Sequence, residues 1–533
     1  MADEADYIVV GAGSAGCIVA NRLAETGARV ILVEAGGSDR SPLVQRPGMI
    51  TAMHSVPQLK KRFDWNYYTV PQQNAVQRQI PTMRGKLLGG SSSVNGMIFV
   101  RGNRADYDNW AADGCTGWSY DEVLPSFKRM EDWEGGSSEL RGSGGPIAVT
   151  RQRNLPPPSR ALNEAISDFF DVDNNVDYNG ATQTGVSPLQ MSARDGKRYN
   201  TSRAYLTNRP NPNLHTLTKA TVSRVVIENG TATGVEVLDG NSTRTLRARQ
   251  EVVLSSGVIG SPQLLMLSGV GPATNLRGLG IGVQSDLPVG KNLHDHLFVP
   301  MTFLAPEAGN KGTASYFMAG MASEMIRGGT WVARTAFDSV GFVPTGQAGD
   351  YPDMQLHTMP WAYPSPNQDA PVRHSVDTRP AMTIMPTLIH PKSRGELRLT
   401  SADPRTSPMI DPAYLSDPAD TRFLLDGIRM TRELMRNKYV ADFLDGELHP
   451  GPETFDDAEL ARQLPNRVHS VYHPVGTCRM GADDRSVVDP QLRVHGVDGL
   501  RVADASIIPE ITSGNTNAPA MMIGERCAEL MTS

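Results

Sequence analysis

Cysteine is scarce in this chain of 533 residues. There are four, Cys17, Cys115, Cys478 and Cys527, with no CxxC pair and no Cys/His spacing of the kind a zinc site needs. Neither a disulfide framework nor a cysteine-held metal is expected. A basic excess is also missing: the net charge is -6, which offers no field for nucleic acid. No apolar run is long enough to span a bilayer, so a protein not built into a membrane is expected. The opening MADEAD leads straight into a strand-like run, with no charged-then-apolar leader before it, so the expected location is cytoplasmic. Sequons at Asn200, Asn229 and Asn241 then carry no meaning. The length exceeds what one hydrophobic core sustains, and two domains are expected.

The segment DYIVVGAGSAGCIVANRLAETGARVILVEAG, from Asp6, reads as strand, glycine turn, amphipathic helix and second strand. In that βαβ context Gly11 permits the tight turn. Gly13 lets backbone approach a pyrophosphate, and Gly16 lets helix and strand pack closely. The helix N-terminus offers free N–H groups to phosphates. Glu34 ends the second strand, where a carboxylate accepts hydrogen bonds from ribose hydroxyls and repels the 2′-phosphate of NADP. The motif leaves NAD and FAD both open.

RGKLLGGSSSVNGMIFVRGNRADYDNW, residues 84–110, is a second loop dense in glycine and small hydroxyl residues, followed by a strand-like MIFV. Further along come GVIGSPQLLMLSGVGP at 257–272, HSVYHPVGTCRMG at 469–481 and GLRVADASIIPEITSGNTNAPAMMIGERCAELM at 499–531. These segments, in this order, resemble the signatures of the glucose–methanol–choline (GMC) oxidoreductases, FAD enzymes that oxidise alcohols. The likeness runs from Asp6 to the C-terminus.

What the resemblance implies is an α/β fold with an α+β second domain. A Rossmann-type FAD-binding domain would be assembled from residues 1–155, 196–300 and 468–533. A smaller substrate-binding domain, an antiparallel sheet with helices, would come from 156–195 and 301–467. Proline-rich RQRNLPPPSR at 151–160 reads as a linker, and APEAGNKGT at 305–313 as a loop. TLTKATVSRVVIENGTATGVEVLDG alternates polar and apolar residues about NGT, as a hairpin does.

The resemblance also implies the site. His473 matches the base-and-orienting histidine of the family, and Asn515 its second active-site residue, with Asn517 two positions on as the alternative register. An asparagine donates to a substrate oxygen but takes no proton, which leaves His473 as the base. The cofactor-binding set is Gly11, Gly13, Ser14, Ala15, Gly16, Glu34, Ala35, Gly89, Ser91, Ser93, Asn95, Gly96, Val222, Asp504, Ala505 and Asn517. Val94 occupies the slot where some members carry a flavin-linking histidine, so FAD is expected to be held non-covalently. His357 is a candidate for the substrate cavity, with Phe317, Phe337, Trp361 and Tyr363 as aromatic candidates. The run His294, Asp295, His296 is too small a set for a metal, and none is expected. Pro519 and the polar residues before it read as a helix start, with the proline in the first turn and AMMIGERCAELM following at helical spacing. The expected partners are a small alcohol and an electron acceptor, O2 or another. A hydroxynitrile lyase, which keeps FAD without net redox chemistry, is the alternative, since the family includes such enzymes.

Overall fold

A computed structural model describes residues 3–50, 53, 57–240, 242–306, 313–346, 351–363, 378–451 and 456–532. Most of the expected 305–313 loop, and Asn241, lie outside them.

Two sheets organise the described residues. In the first, the β-branched runs form β1 (Glu4–Val10) and β2 (Val30–Glu34), paired in parallel around α1 (Gly16–Glu25). Strand Leu214–Thr218 extends the sheet in parallel beside β2. On the other side of β1 lies Ser242–Leu254, whose C-terminal half pairs in parallel with β1 and with Leu500–Val502. Its N-terminal half continues into the expected hairpin, Val222–Glu228 against Thr231–Asp239. Asn229 and Gly230 turn that hairpin with φ of 52° and 81°, the left-handed pair a two-residue turn requires. Helix α1 is not amphipathic as expected. It is buried at eight of ten positions, because the C-terminal helix Asn517–Thr532 covers the side turned away from the sheet.

The second sheet is antiparallel, in the order Glu447–His449, Met301–Leu304, Ala381–Leu388, Met354–Met359, Ser339–Val343 and Gly185–Pro188. Two short strands, Leu297–Phe298 and His469–Ser470, attach to it through Ala381–Leu388. The architecture is thus a mixed, largely parallel sheet with helices joined to an antiparallel sheet with helices.

Two local expectations change. MIFV is not a strand: Met97 has φ 62°, which breaks the extended run and leaves a single bridge from Ile98 to Met191. The proline-rich 151–160 stretch does not remain a linker, because its prolines open the helix Pro157–Phe170, where a missing N–H costs nothing. His294, Asp295 and His296 lie in irregular backbone, with a single bridge from His294 to Val475.

Candidate active site

A cavity of about 630 Å³ runs between the sheets. One end is the glycine turn. A Cβ on Gly11 would sit 2.5 Å from the Ser255 carbonyl oxygen, and one on Gly16 only 1.9 Å from that of Gly11. Both are therefore demanded by the protein's own packing. Gly13 is different, since a Cβ there would approach nothing closer than 3.7 Å. Its missing side chain leaves backbone open on the cavity wall, as a pyrophosphate needs. Glu34 is held beside it by the N–H groups of Ala12 (2.9 Å) and Gly36 (2.7 Å). Burial pushes its carboxyl up to about 7, against the pull of those two N–H groups. Gly11, Gly13, Ser14, Ala15, Glu34, Ala35, Ser91, Asn95, Gly96, Val222, Asp504, Ala505 and Asn517 all line this cavity, as does Val94. An elongated nucleotide fits that set.

Gly16, Gly89 and Ser93 stand behind the wall. The Gly89 N–H bonds the Ala12 carbonyl at 2.7 Å. The Ser93 hydroxyl donates to Leu88 O, and its oxygen accepts from Asn200, which is buried. Arg198 was not legible from sequence. It is buried, and its guanidinium donates to the carbonyls of Val44, Ser92 and Asn95 and to the Asn95 side chain, pinning the Ser91–Gly96 loop from behind.

At the other end His473, Asn515 and His357 meet. Tyr472, just before His473, holds φ 64° and gives its carbonyl to Arg84. The His473 N–H donates to Asp295 (2.8 Å), a buried carboxylate that also accepts from Tyr414 and Ser470. Thus the strained turn that aims the imidazole is held from two sides.

The protons on the rings follow from one carbonyl. His296 Nε2 lies 3.0 Å from the Ile389 carbonyl oxygen, which can only accept, so Nε2 carries hydrogen. Burial drives the His296 pKa well below 6.5, so the ring is neutral and its Nδ1 is bare. His473 Nδ1, 3.1 Å away, must then be the donor, and the bare atom of His473 is Nε2. That atom faces the Asn515 amide nitrogen at 3.1 Å. Gln355 donates to Asn515 Oδ1 at 3.0 Å, which fixes the amide's orientation. Burial, then His296, His357 and Arg84, push the His473 pKa well below 6.5 as well. A lone pair on a neutral imidazole and an N–H donor therefore converge at the cavity wall.

Asn517 does something else: its Oδ1 accepts from the Ser14 hydroxyl at 2.7 Å, tying the C-terminal helix to the glycine turn. His357 is buried, and its Nε2 has no hydrogen-bond partner among the described residues. Burial lowers its pKa to about 4. Phe337 and Tyr363 line the cavity, whereas Phe317 and Trp361 pack on each other behind it. The run 294–296 disperses: His294 bonds Asn292 O and the Ile511 N–H, while its two neighbours serve His473. Among the described residues no group of three or more His, Cys, Asp or Glu could hold a metal, and no helix is long and apolar enough to cross a membrane.

Profiles described as GMC oxidoreductase match residues 5–298 and 391–524. This chain belongs to the GMC oxidoreductase family. Among its relatives is a protein named oxygen-dependent choline dehydrogenase from Sinorhizobium medicae, 39% identical over 99% of this chain and 95% of the relative. One from Brucella anthropi under the same name has the same identity and coverage. Among solved structures, pyridoxine 4-oxidase from Mesorbium loti is 29% identical with a TM-score of 0.87, covering 98% of both chains. As a GMC oxidoreductase the protein is an FAD-dependent enzyme acting on CH–OH groups.

Proposed function

We propose that this GMC enzyme oxidises a primary or secondary alcohol with His473 as the base, Asn515 as the donor to the alcohol oxygen, and non-covalent FAD. When bound, the flavin supplies the acceptor for the hydride of the C–H bond. The residues 1–155, 196–300 and 468–533 are the proposed FAD-binding domain, and 156–195 with 301–467 the substrate-binding domain. The observation that carries the reading is the chain of hydrogen bonds Ile389 O, His296, His473, Asn515, which presents a bare Nε2 beside an N–H donor. The hydroxyl proton goes to Nε2. The Asn515 amide holds the oxygen as negative charge develops on it. His357, beside Asn515 in the same wall, is a third group within the substrate cavity. Choline, from the relatives' name, and pyridoxine are alcohols to include in a first panel. Anaerobic mixing with such a panel tests the reading: an alcohol substrate bleaches the flavin, and no bleaching by any alcohol sinks it. Following peroxide and an artificial acceptor in parallel identifies where the electrons go.

Val94 has no nucleophilic atom and lines the cavity. Acid or heat denaturation is therefore expected to release FAD into solution. Flavin fluorescence that migrates with the denatured chain on a gel contradicts this.

His296 positions the base without touching substrate. Its replacement in His296→Ala removes the acceptor for His473 Nδ1–H and lets the ring adopt the other tautomer. Flavin reduction is expected to slow about 10- to 100-fold, the size expected when the partner orienting a functional histidine is lost. FAD content should not change, and a wild-type reduction rate in the loaded variant rules the relay out.

A further inference from the structure

Past His473, Asn515 and His357, the wall at that end of the cavity is apolar. Val94, Phe298, Phe337, Tyr363, Met385 and Val471 line it and belong to one hydrophobic cluster. Among the described residues on the cavity wall, the only carboxylates are Glu34 and Asp504. Both belong to the nucleotide end. Glu34 closes β2, and Asp504 already accepts from the N–H groups of Gly257 and Ser506 and the Ser261 hydroxyl. A cation, Arg84, also lines the wall; it bonds the carbonyls of Met83 and Tyr472, and the carboxylates of Asp295 and Asp64 offset its charge from behind.

Building on the alcohol oxidation proposed above, we infer that the substrate is an uncharged alcohol carrying an apolar aryl or branched alkyl group, and that quaternary ammonium alcohols are rejected. A trimethylammonium group entering this end loses its water and meets no carboxylate among the described wall residues, since Asp295 lies behind His473 with its oxygens already engaged by the His473 N–H, Tyr414 and Ser470. Two of the wall's rings are engaged with each other. Phe298 and Tyr363 meet edge to face at 5.4 Å and 88°, and both pack on His469, at 5.6 and 5.5 Å, so the rings are turned on one another and not arranged around one point. An apolar group gains from the same wall by leaving water, while its hydroxyl meets the three polar side chains.

Choline and 3,3-dimethylbutan-1-ol have the same shape and differ in one atom, a quaternary nitrogen against a quaternary carbon. With the FAD-loaded enzyme under anaerobic conditions, kcat/KM for flavin reduction is expected to favour the uncharged alcohol by more than about tenfold, as pocket discrimination of this kind allows. Equal rates, or a preference for choline, overturn the inference. Binding is read separately from perturbation of the flavin absorption spectrum, which also works in a His473→Ala enzyme that does not turn over. A dimethylbutanol that neither reduces nor perturbs the flavin likewise overturns it. Met385 lies directly opposite His357 on the neighbouring strand and so shares its face, and Glu is close to Met in length. Met385→Glu is expected to shrink the ratio toward choline, and an unchanged ratio in the folded, FAD-loaded variant removes the wall as the selector. The two readings fail separately. A preference for choline sinks the substrate class and leaves the base in place, whereas a His473→Ala enzyme that reduces at the wild-type rate sinks the base and leaves the ratio standing.

Discussion

His473→Ala is expected to fold, keep FAD and lose about 10²- to 10⁴-fold in the rate at which alcohol reduces the flavin, the range that a positioned general base supplies. The imidazole is buried and neutral, with Nε2 bare, because His296 takes the Nδ1 hydrogen and the Ile389 carbonyl fixes His296 in turn. Raising the pH should restore part of the variant's rate by supplying alkoxide from solution. The wild type should behave differently. The base works when neutral, and burial has moved its pKa well below 6.5, so the neutral form persists to lower pH than for an ordinary histidine. Wild-type flavin reduction is therefore expected to stay level as the pH falls through 6.5, and to drop only as the pH nears the depressed value. Stopped-flow bleaching without oxygen measures this step apart from reoxidation. A variant that bleaches at the wild-type rate returns His473 to a structural role, and a wild-type rate that halves near pH 6.5 contradicts the depressed pKa.

Asn515→Ala should impair the same step while leaving FAD in place. A hydrogen bond to charge that develops only in the transition state is worth about 2.7 to 4 kcal/mol, or roughly two to three decades in rate. The amide is held in the orientation this requires, because Gln355 donates to its Oδ1 and so turns Nδ2 toward His473 and the cavity. Asn517→Ala provides the contrast. Its side chain bonds Ser14 at the glycine turn, so its loss is expected to weaken FAD retention and to leave reduction of the loaded enzyme nearly unchanged. If the large kinetic loss follows Asn517 and not Asn515, the roles are reversed.

Features whose partners lie close in the chain are legible in the residues themselves. The glycine turn with Glu34, the Asn229–Gly230 hairpin and the C-terminal helix from Asn517 each pair a residue type with a local backbone demand. Two local patterns misled. MIFV carries strand-forming residues but is broken at Met97, and the prolines of 151–160 begin a helix as readily as they end one. The pairing of His473 with Asn515 was legible only through the order of motifs, since 42 residues separate them.

What the sequence alone offered was therefore the glycine turn with its carboxylate and the two candidate site residues, His473 and Asn515. The tertiary structure decided the rest of the site. His296 lies 177 residues from His473 and 93 from Ile389, and Gln355 is 160 residues from Asn515. No periodicity or spacing encodes such contacts. The run His294, Asp295, His296 reads as one cluster along the chain, but the irregular backbone there sends His294 to the Ile511 N–H and turns Asp295 and His296 onto the backbone and the ring of His473. Which nitrogen of His473 is bare is likewise not a property of any local segment. It depends on a carbonyl that can only accept, brought to His296 by the folding of a distant stretch.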